Sequence, residues 1–93
     1  MKVGISEIEI RMSYINSLKG KRGIVKSIIG KVQTKFNVSI AEVDYHDRHK
    51  QAVLGVSYVS NDSARIHRVL ENLASFIENN FDIELIDSYI EIL

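Results

Sequence analysis

Two segments of this 93-residue chain carry the same apolar spacing, and that spacing leaves few folds open. Val25, Ile28, Ile29, Val32 and Phe36 fall at i, i+3, i+4, i+7 and i+11. Ile66, Val69, Leu70, Leu73 and Ile77 repeat the interval. Each set is a single stripe along an α-helix, predicted over about 18–36 and 62–79. A helix with one apolar stripe has to bury it against another layer, and the segments around these two supply that layer. Over residues 2–12, Ile8, Ile10 and Met12 alternate with Glu7, Glu9 and Arg11, the period of a strand. Val3 and Ile5 lie on the other parity, so either a bulge falls near Gly4–Ser6 or both faces are covered there. Residues 38–45 and 51–60 read as strands around the polar loop His46-Asp47-Arg48-His49-Lys50, a hairpin. Residues 82–93 make a last strand, with Ile83, Leu85, Ile86, Ile90, Ile92 and Leu93.

The chain has no proline, so its boundaries come from other residues. Ser60-Asn61-Asp62-Ser63 offers side-chain oxygens to cap the second helix, and Asn79-Asn80 ends it. Asn37 is expected to close the first helix in the left-handed conformation. The order strand, helix, strand, strand, helix, strand, with both helices on one sheet face, predicts an α+β ferredoxin-like plait. This βαββαβ fold has a four-stranded antiparallel sheet and forms one domain over residues 1–93.

Charge is segregated along this frame. Lys19, Lys21, Arg22, Lys26, Lys31 and Lys35 lie between residues 17 and 35 with no acid among them. Residues 1–37 hold 8 basic and 2 acidic residues, a local +6, and residues 38–93 hold 4 and 10, a local −6. The total is neutral, so the surface is polarised and its two ends invite partners of opposite sign. Lys19, Arg22 and Lys26 share one side of the helix, Lys31 and Lys35 fall on another, and Lys21 lies near the apolar stripe. Lysine as a point charge and arginine as a fork are the usual readers of phosphate. A helix start adds free backbone N–H groups. The blander reading is a solvated face balanced by carboxylates such as Glu42 or Glu71. Gly23 and Gly30, seven residues apart, lie opposite the apolar stripe, either as tolerated solvent positions or as a bare surface for close approach.

Other chemistry fails on inventory. There is no cysteine to act as nucleophile or ligand. The serines lie in no Gly-x-Ser-x-Gly elbow, and Gly20 with Gly23 makes no phosphate loop. Glu7 and Glu9 share a strand face, but a plait of this size offers no cleft for paired-carboxylate catalysis. His46 and His49 have metal-ligand spacing, yet Arg48 and Lys50 crowd them with positive charge, and a solvated turn is expected instead. His67 sits beside the second stripe as a boundary residue. No apolar run reaches the 18 or so residues of a membrane span, and the first residues lack an apolar signal core. The strands carry apolar residues on both parities, which marks the sheet face away from the helices as a contact surface. Tyr45, Tyr58 and Tyr89 are strand aromatics without the motif of a base-stacking sheet. A homodimer through that face is the expectation.

The segments SLKGKR (17–22), VKSII (25–29), FNVSIAEVD (36–44), Ala52 with LG (54–55) and VSND (59–62) resemble, in order and spacing, the bacterial YlxP-like family. The resemblance runs nearly end to end. It implies a ferredoxin-like fold and a cytoplasmic bacterial protein of unknown function, often encoded beside translation-initiation and ribosome-maturation genes. Two departures stand out. The family has Glu between the two lysines, as in LKEKR, where this chain has Gly20. It has QDLW in the hairpin loop, where this chain has His46-Asp47-Arg48-His49, without the aromatic at 49. Residues and resemblance together lead to the expectation of a non-catalytic factor that binds RNA or a ribosomal particle through Lys19, Lys21, Arg22 and Lys26. No cofactor, metal or membrane partner is expected. The alternative is a dimeric protein-interaction module with no nucleic-acid role.

Overall fold

The computed structural model describes residues 1–93 as six elements. They are β1 (Lys2–Arg11), α1 (Leu18–Lys35), β2 (Ser39–Asp44), β3 (Gln51–Ser60), α2 (Ser63–Asn80) and β4 (Glu84–Ile92). The strands form one sheet in the order β2-β3-β1-β4, with every neighbouring pair antiparallel. Both helices pack on the same side of it, as the two single stripes require. This is the ferredoxin-like plait predicted from the sequence.

Local chemistry sets the helix ends. Ser17 caps α1, its Oγ accepting from Gly20 N at 3.1 Å. Gly20, in the place of the family's Glu, therefore does not delay the helix start. Asp62 caps α2, its Oδ1 accepting from Ala64 N at 2.9 Å and Arg65 N at 3.3 Å. At the far end of α2 the Asn80 side chain donates to Phe76 O at 2.8 Å. The end of α1 differs from expectation. The cap is Phe36, in extended conformation (φ −123°, ψ 140°), and its N–H bonds to Val32 O. Asn37 is not left-handed; the one non-glycine residue with positive φ is Tyr45, at 63°. The ring of Phe36 explains the choice, since it packs edge-on to Phe76 of α2 with centroids 5.7 Å apart.

The core draws from every element. Ile8, Ile10 and Met12 of β1 and its end, Ala52, Leu54 and Val56 of β3, and Ile40 of β2 meet Val25, Ile28 and Val32 of α1 and Ile66, Leu70, Leu73 and Ile77 of α2. Ile29, Val69 and Phe36, at the margins of the stripes, are only half-buried. No bulge falls near Gly4–Ser6. β1 pairs with β3 without interruption from Lys2↔Ser60 to Arg11↔Gln51. Gly4 and Ser6 simply continue the helix-facing parity with small side chains, because α2 lies directly above them. A Cβ on Gly4 would overlap Ile66 Cγ2 and lie 3.2 Å from Leu70 Cδ1. The irregularities occur elsewhere. In β4 an extra residue, Ile86, stands between Leu85 (opposite Ile10) and Asp87 (opposite Glu9). In β2 the extra residue is Val43, which lies across Gly55; a Cβ there would be 2.7 Å from Val43 Cγ1.

Glycine substitutions separate close packing from open surface. Gly4→Ala is expected to lower stability by about 1–3 kcal/mol by forcing α2 off the sheet. Gly30→Ala, with nothing within 4 Å of the added Cβ, is expected to raise it by up to about 1 kcal/mol through helix propensity. Leu70→Ala, at a fully buried position, is expected to cost about 2–5 kcal/mol. Urea midpoints measure all three, and the first two must move in opposite directions.

Candidate functional site

The six cations of α1, with no acid among them in sequence, occupy three different environments. Lys21 is in the core, not on the surface, and no part of it is exposed. It lies four residues before Val25, on the helix face that α1 buries. Its Nζ donates to the carbonyl oxygens of Tyr45 at 2.7 Å, Gln51 at 3.2 Å and His46 at 3.3 Å. It also sits 2.8 Å from Glu42 Oε2, the one ion pair in the molecule. Three N–H groups thus face four oxygens. The carbonyls take the hydrogen bonds, and Glu42 Oε2, itself buried, has no hydrogen bond beyond its ion-pair contact. The expectation that Lys21 meets phosphate is therefore corrected. Its charge is spent inside the protein, holding the end of β2, the turn after it and the start of β3 against α1.

Lys31 and Lys35 flank α2. Lys31 Nζ stands 5.3 Å from the centroid of the Phe81 ring and Lys35 Nζ 5.1 Å from that of Phe76, within cation–π range. Lys19, Arg22 and Lys26 are exposed, have no carboxylate partner, and share a helix face with Gly23 and Gly30. The first turn of α1 contains no acid. Cations near a helix N-terminus oppose the macrodipole, so nothing there neutralises the positive end. Glu42, considered above as a balancing carboxylate, pairs with Lys21 alone.

The hairpin loop joins this end of the molecule through Lys21, which the loop sequence by itself gave no reason to expect. Tyr45 turns with its N–H bonded to Asp44 Oδ1 at 2.7 Å, and Arg48 N–H closes onto Tyr45 O at 2.9 Å. The Arg48 guanidinium lies over the Tyr45 ring, 4.1 Å from its centroid, and donates to Gln51 Oε1 at 3.2 Å. Arg48 is thus an exposed, held cation that the sequence reading left out of the site. His46 Nε2 is hydrogen-bonded with Glu42 O at 3.1 Å, and Lys50 Nζ donates to Ser13 O at 2.9 Å. No group of three or more His, Asp or Glu side chains is arranged around a metal position.

The opposite side of the sheet has the opposite sign. Glu7, Glu9, Asp44 and Asp87 ring a shallow depression of about 180 Å³ floored by Val53. Partial burial and the Glu7 and Glu91 carboxylates push the Tyr89 hydroxyl's pKa up, so the phenol stays neutral there. Tyr58 faces the helices and packs against the core. No helix is long and apolar enough to cross a membrane.

Removing the Lys21 ammonium leaves three carbonyls and a largely buried carboxylate without their partner. Lys21→Met is expected to cost about 3–5 kcal/mol, the usual penalty for breaking a buried pair from one side. Glu42→Gln, which keeps a polar group beside the ammonium, is expected to cost less. Urea unfolding measures both. A Lys21→Met midpoint equal to that of the wild type would show that the ammonium is not enclosed.

Comparison with known proteins gives the family. Residues 3–90 match the family model described as a protein of unknown function, DUF503. The chain is also 35% identical over 82 residues to the uncharacterized protein YlxP of Bacillus subtilis (strain 168), covering 88% of this chain and 89% of that protein. With nearly the whole chain matched, this protein belongs to the YlxP-like, DUF503 family, whose function is unknown.

Proposed function

We propose that this protein is a non-catalytic, cytoplasmic RNA- or ribosome-binding accessory factor that holds phosphates with Lys19, Arg22 and Lys26. The observation that supports the reading is their unpaired exposure on one face of α1, at a helix start with no acid in its first turn. The positive end of the helix and three cations along one face then act on the same polyanion. Arg48, in the loop that Lys21 ties to α1, is a further exposed cation whose guanidinium is held over the Tyr45 ring. Gly23 and Gly30 project nothing from the same face, which lets a phosphate backbone approach the helix closely. The sheet is not the RNA surface in this reading. Its open side is acidic and lacks the paired aromatics on which bases stack.

The alternative, a dimeric interaction module, draws on exposed apolar residues of the open sheet face such as Val43 and Val59. The carboxylates farther along the same face count against a like-charged copy stacked over its whole length.

Phosphate neutralisation has a salt signature. Three contacts on single-stranded RNA are expected to give a slope of log affinity against log salt of roughly −2. The variant Lys19→Glu/Arg22→Glu/Lys26→Glu should abolish binding to RNA or ribosomal particles with little change in stability. Arg48→Ala should weaken it by a smaller factor. Arg65→Glu/Arg68→Glu on α2 should matter much less. Loss across all RNA sequences alike is expected, since phosphates carry no sequence information. Wild-type affinity in the triple variant, or no RNA binding at low salt by the native chain, would overturn the proposal.

A further inference from the structure

The sheet face away from the helices has no partner within the molecule, and its side chains are sorted along its length. One end is apolar. Val3 lies opposite Val59 and next in line to Ile5, and Val43 folds in across Gly55. Val59 is 55% and Val43 47% exposed. A shallow groove of about 340 Å³ runs between Ile5, Ala41, Val43 and Gly55 and reaches Glu7. From Glu7 onward the face is acidic: Glu7 lies opposite Tyr89, Glu9 opposite Asp87, and Asp44 on the far side of Val53. None of these carboxylates has a cationic partner. Arg11, at the end of β1, is the single cation that β1 contributes to this parity.

We propose that this face docks a basic segment of another protein, one that carries lysine or arginine beside an apolar anchor. The charge pattern selects this occupant. RNA and anionic lipid are repelled by the same carboxylates. A second copy stacked face to face, at the roughly 10 Å spacing of packed sheets, would bring two sets of unpaired acids together. A segment with an apolar side chain in the Ile5–Val43 groove and cations over Glu7, Glu9 and Asp87 meets both halves. The anchor supplies affinity and the charges supply steering and register. The acidic face lies on the opposite side of the sheet from α1, in a molecule with extents of 42 × 21 × 18 Å. One copy can therefore hold a polyanion on α1 and a basic protein on the sheet at once. This docking does not depend on the RNA reading.

The test uses the full chain, isotopically labelled, and three synthetic peptides of equal length with alternating Lys–Leu, Lys–Ser and Glu–Leu residues. The Lys–Leu peptide is expected to shift the amide resonances of Glu7, Glu9, Val53, Val59, Asp87 and Tyr89, and to bind at least about tenfold more tightly than either other peptide. Glu7→Gln/Glu9→Gln/Asp87→Asn should weaken it about tenfold or more, and Val59→Ser several-fold. Lys19→Glu/Arg22→Glu/Lys26→Glu, which removes the proposed RNA contacts, should leave it unchanged. Each variant's urea midpoint establishes that it is folded, and Val59→Ser reports on the face independently of the charge variant. Perturbations centred on another surface would overturn the proposal, as would equal binding of the Glu–Leu peptide or wild-type affinity in both sheet variants. A particle of twice 10.6 kDa that Val59→Asp returns to monomer would give the face to a second copy and overturn it as well.

Discussion

One enclosed ammonium ties together the end of this protein where α1, the β2–β3 turn and the start of β3 meet. Taking a lysine out of water is costly unless its charge and all its donors are met. Lys21 meets that condition with three backbone carbonyls and a carboxylate from a strand it does not adjoin in sequence. Those carbonyls belong to the turn after β2 and to the start of β3, and one of the turn's residues, Tyr45, has positive φ. The ammonium thus orders the turn, and the ordered turn in turn presents Arg48 on the Tyr45 ring. The first turns of α1 cannot move without breaking these bonds, so the exposed cations on the other side of that helix are carried on a fixed support.

From this anchoring follows the division of charge over the surface. The chain is neutral, yet the cations of α1 and the carboxylates of the open sheet face are not interleaved. Of the six α1 cations, one is consumed in the core and two lie over aromatic rings at the seam with α2. The remaining three face solvent with no counter-charge of their own. On the other side, helices cover only one face of the sheet, so carboxylates of β1, β2 and β4 collect on the face left open. A plait with helices on one side puts these two groups on opposite faces of the molecule. Such an arrangement suits a protein that meets partners of opposite charge on opposite faces.

Most of the fold was legible because it rests on periodicity. The two stripes fixed the helices, the alternation in β1 fixed its buried face, and Asp62 marked the start of α2. Elements placed by these signals agree with the structure to within two residues at each boundary. Where the reading failed, a residue type was given its commonest meaning. Asn37 looked like a left-handed cap, but the aromatic contact of Phe36 decided the end of α1. Val3 and Ile5 left open a bulge near Gly4–Ser6 or two covered faces; the strand runs on without a bulge, and Gly4 and Ser6 face the helices. Both are buried, and at Gly4 α2 passes too close for any side chain. Lys21 reads as lying near the apolar stripe and yet counted as a phosphate-binding charge, although its position four residues before Val25 put it on the buried face. That spacing was the available signal, and the chemistry of lysine hid it.

The sequence by itself determined the order of elements, the faces that had to be buried and the net imbalance of charge between the two halves of the chain. Each of these follows from near-neighbour spacing, which the chain carries wherever it folds. Only the tertiary structure decided which cations remain free, because that depends on what other elements bring to each side chain. Glu42 and three carbonyls reach Lys21 from residues more than twenty positions away, and Phe76 and Phe81 reach Lys35 and Lys31 from more than forty. Likewise, the alternation of β1 placed Glu7 and Glu9 on one face. Pairing with β3 and β4, set by hydrogen-bond register across the sheet, then brought Asp87 beside them and left Val59 at the apolar end.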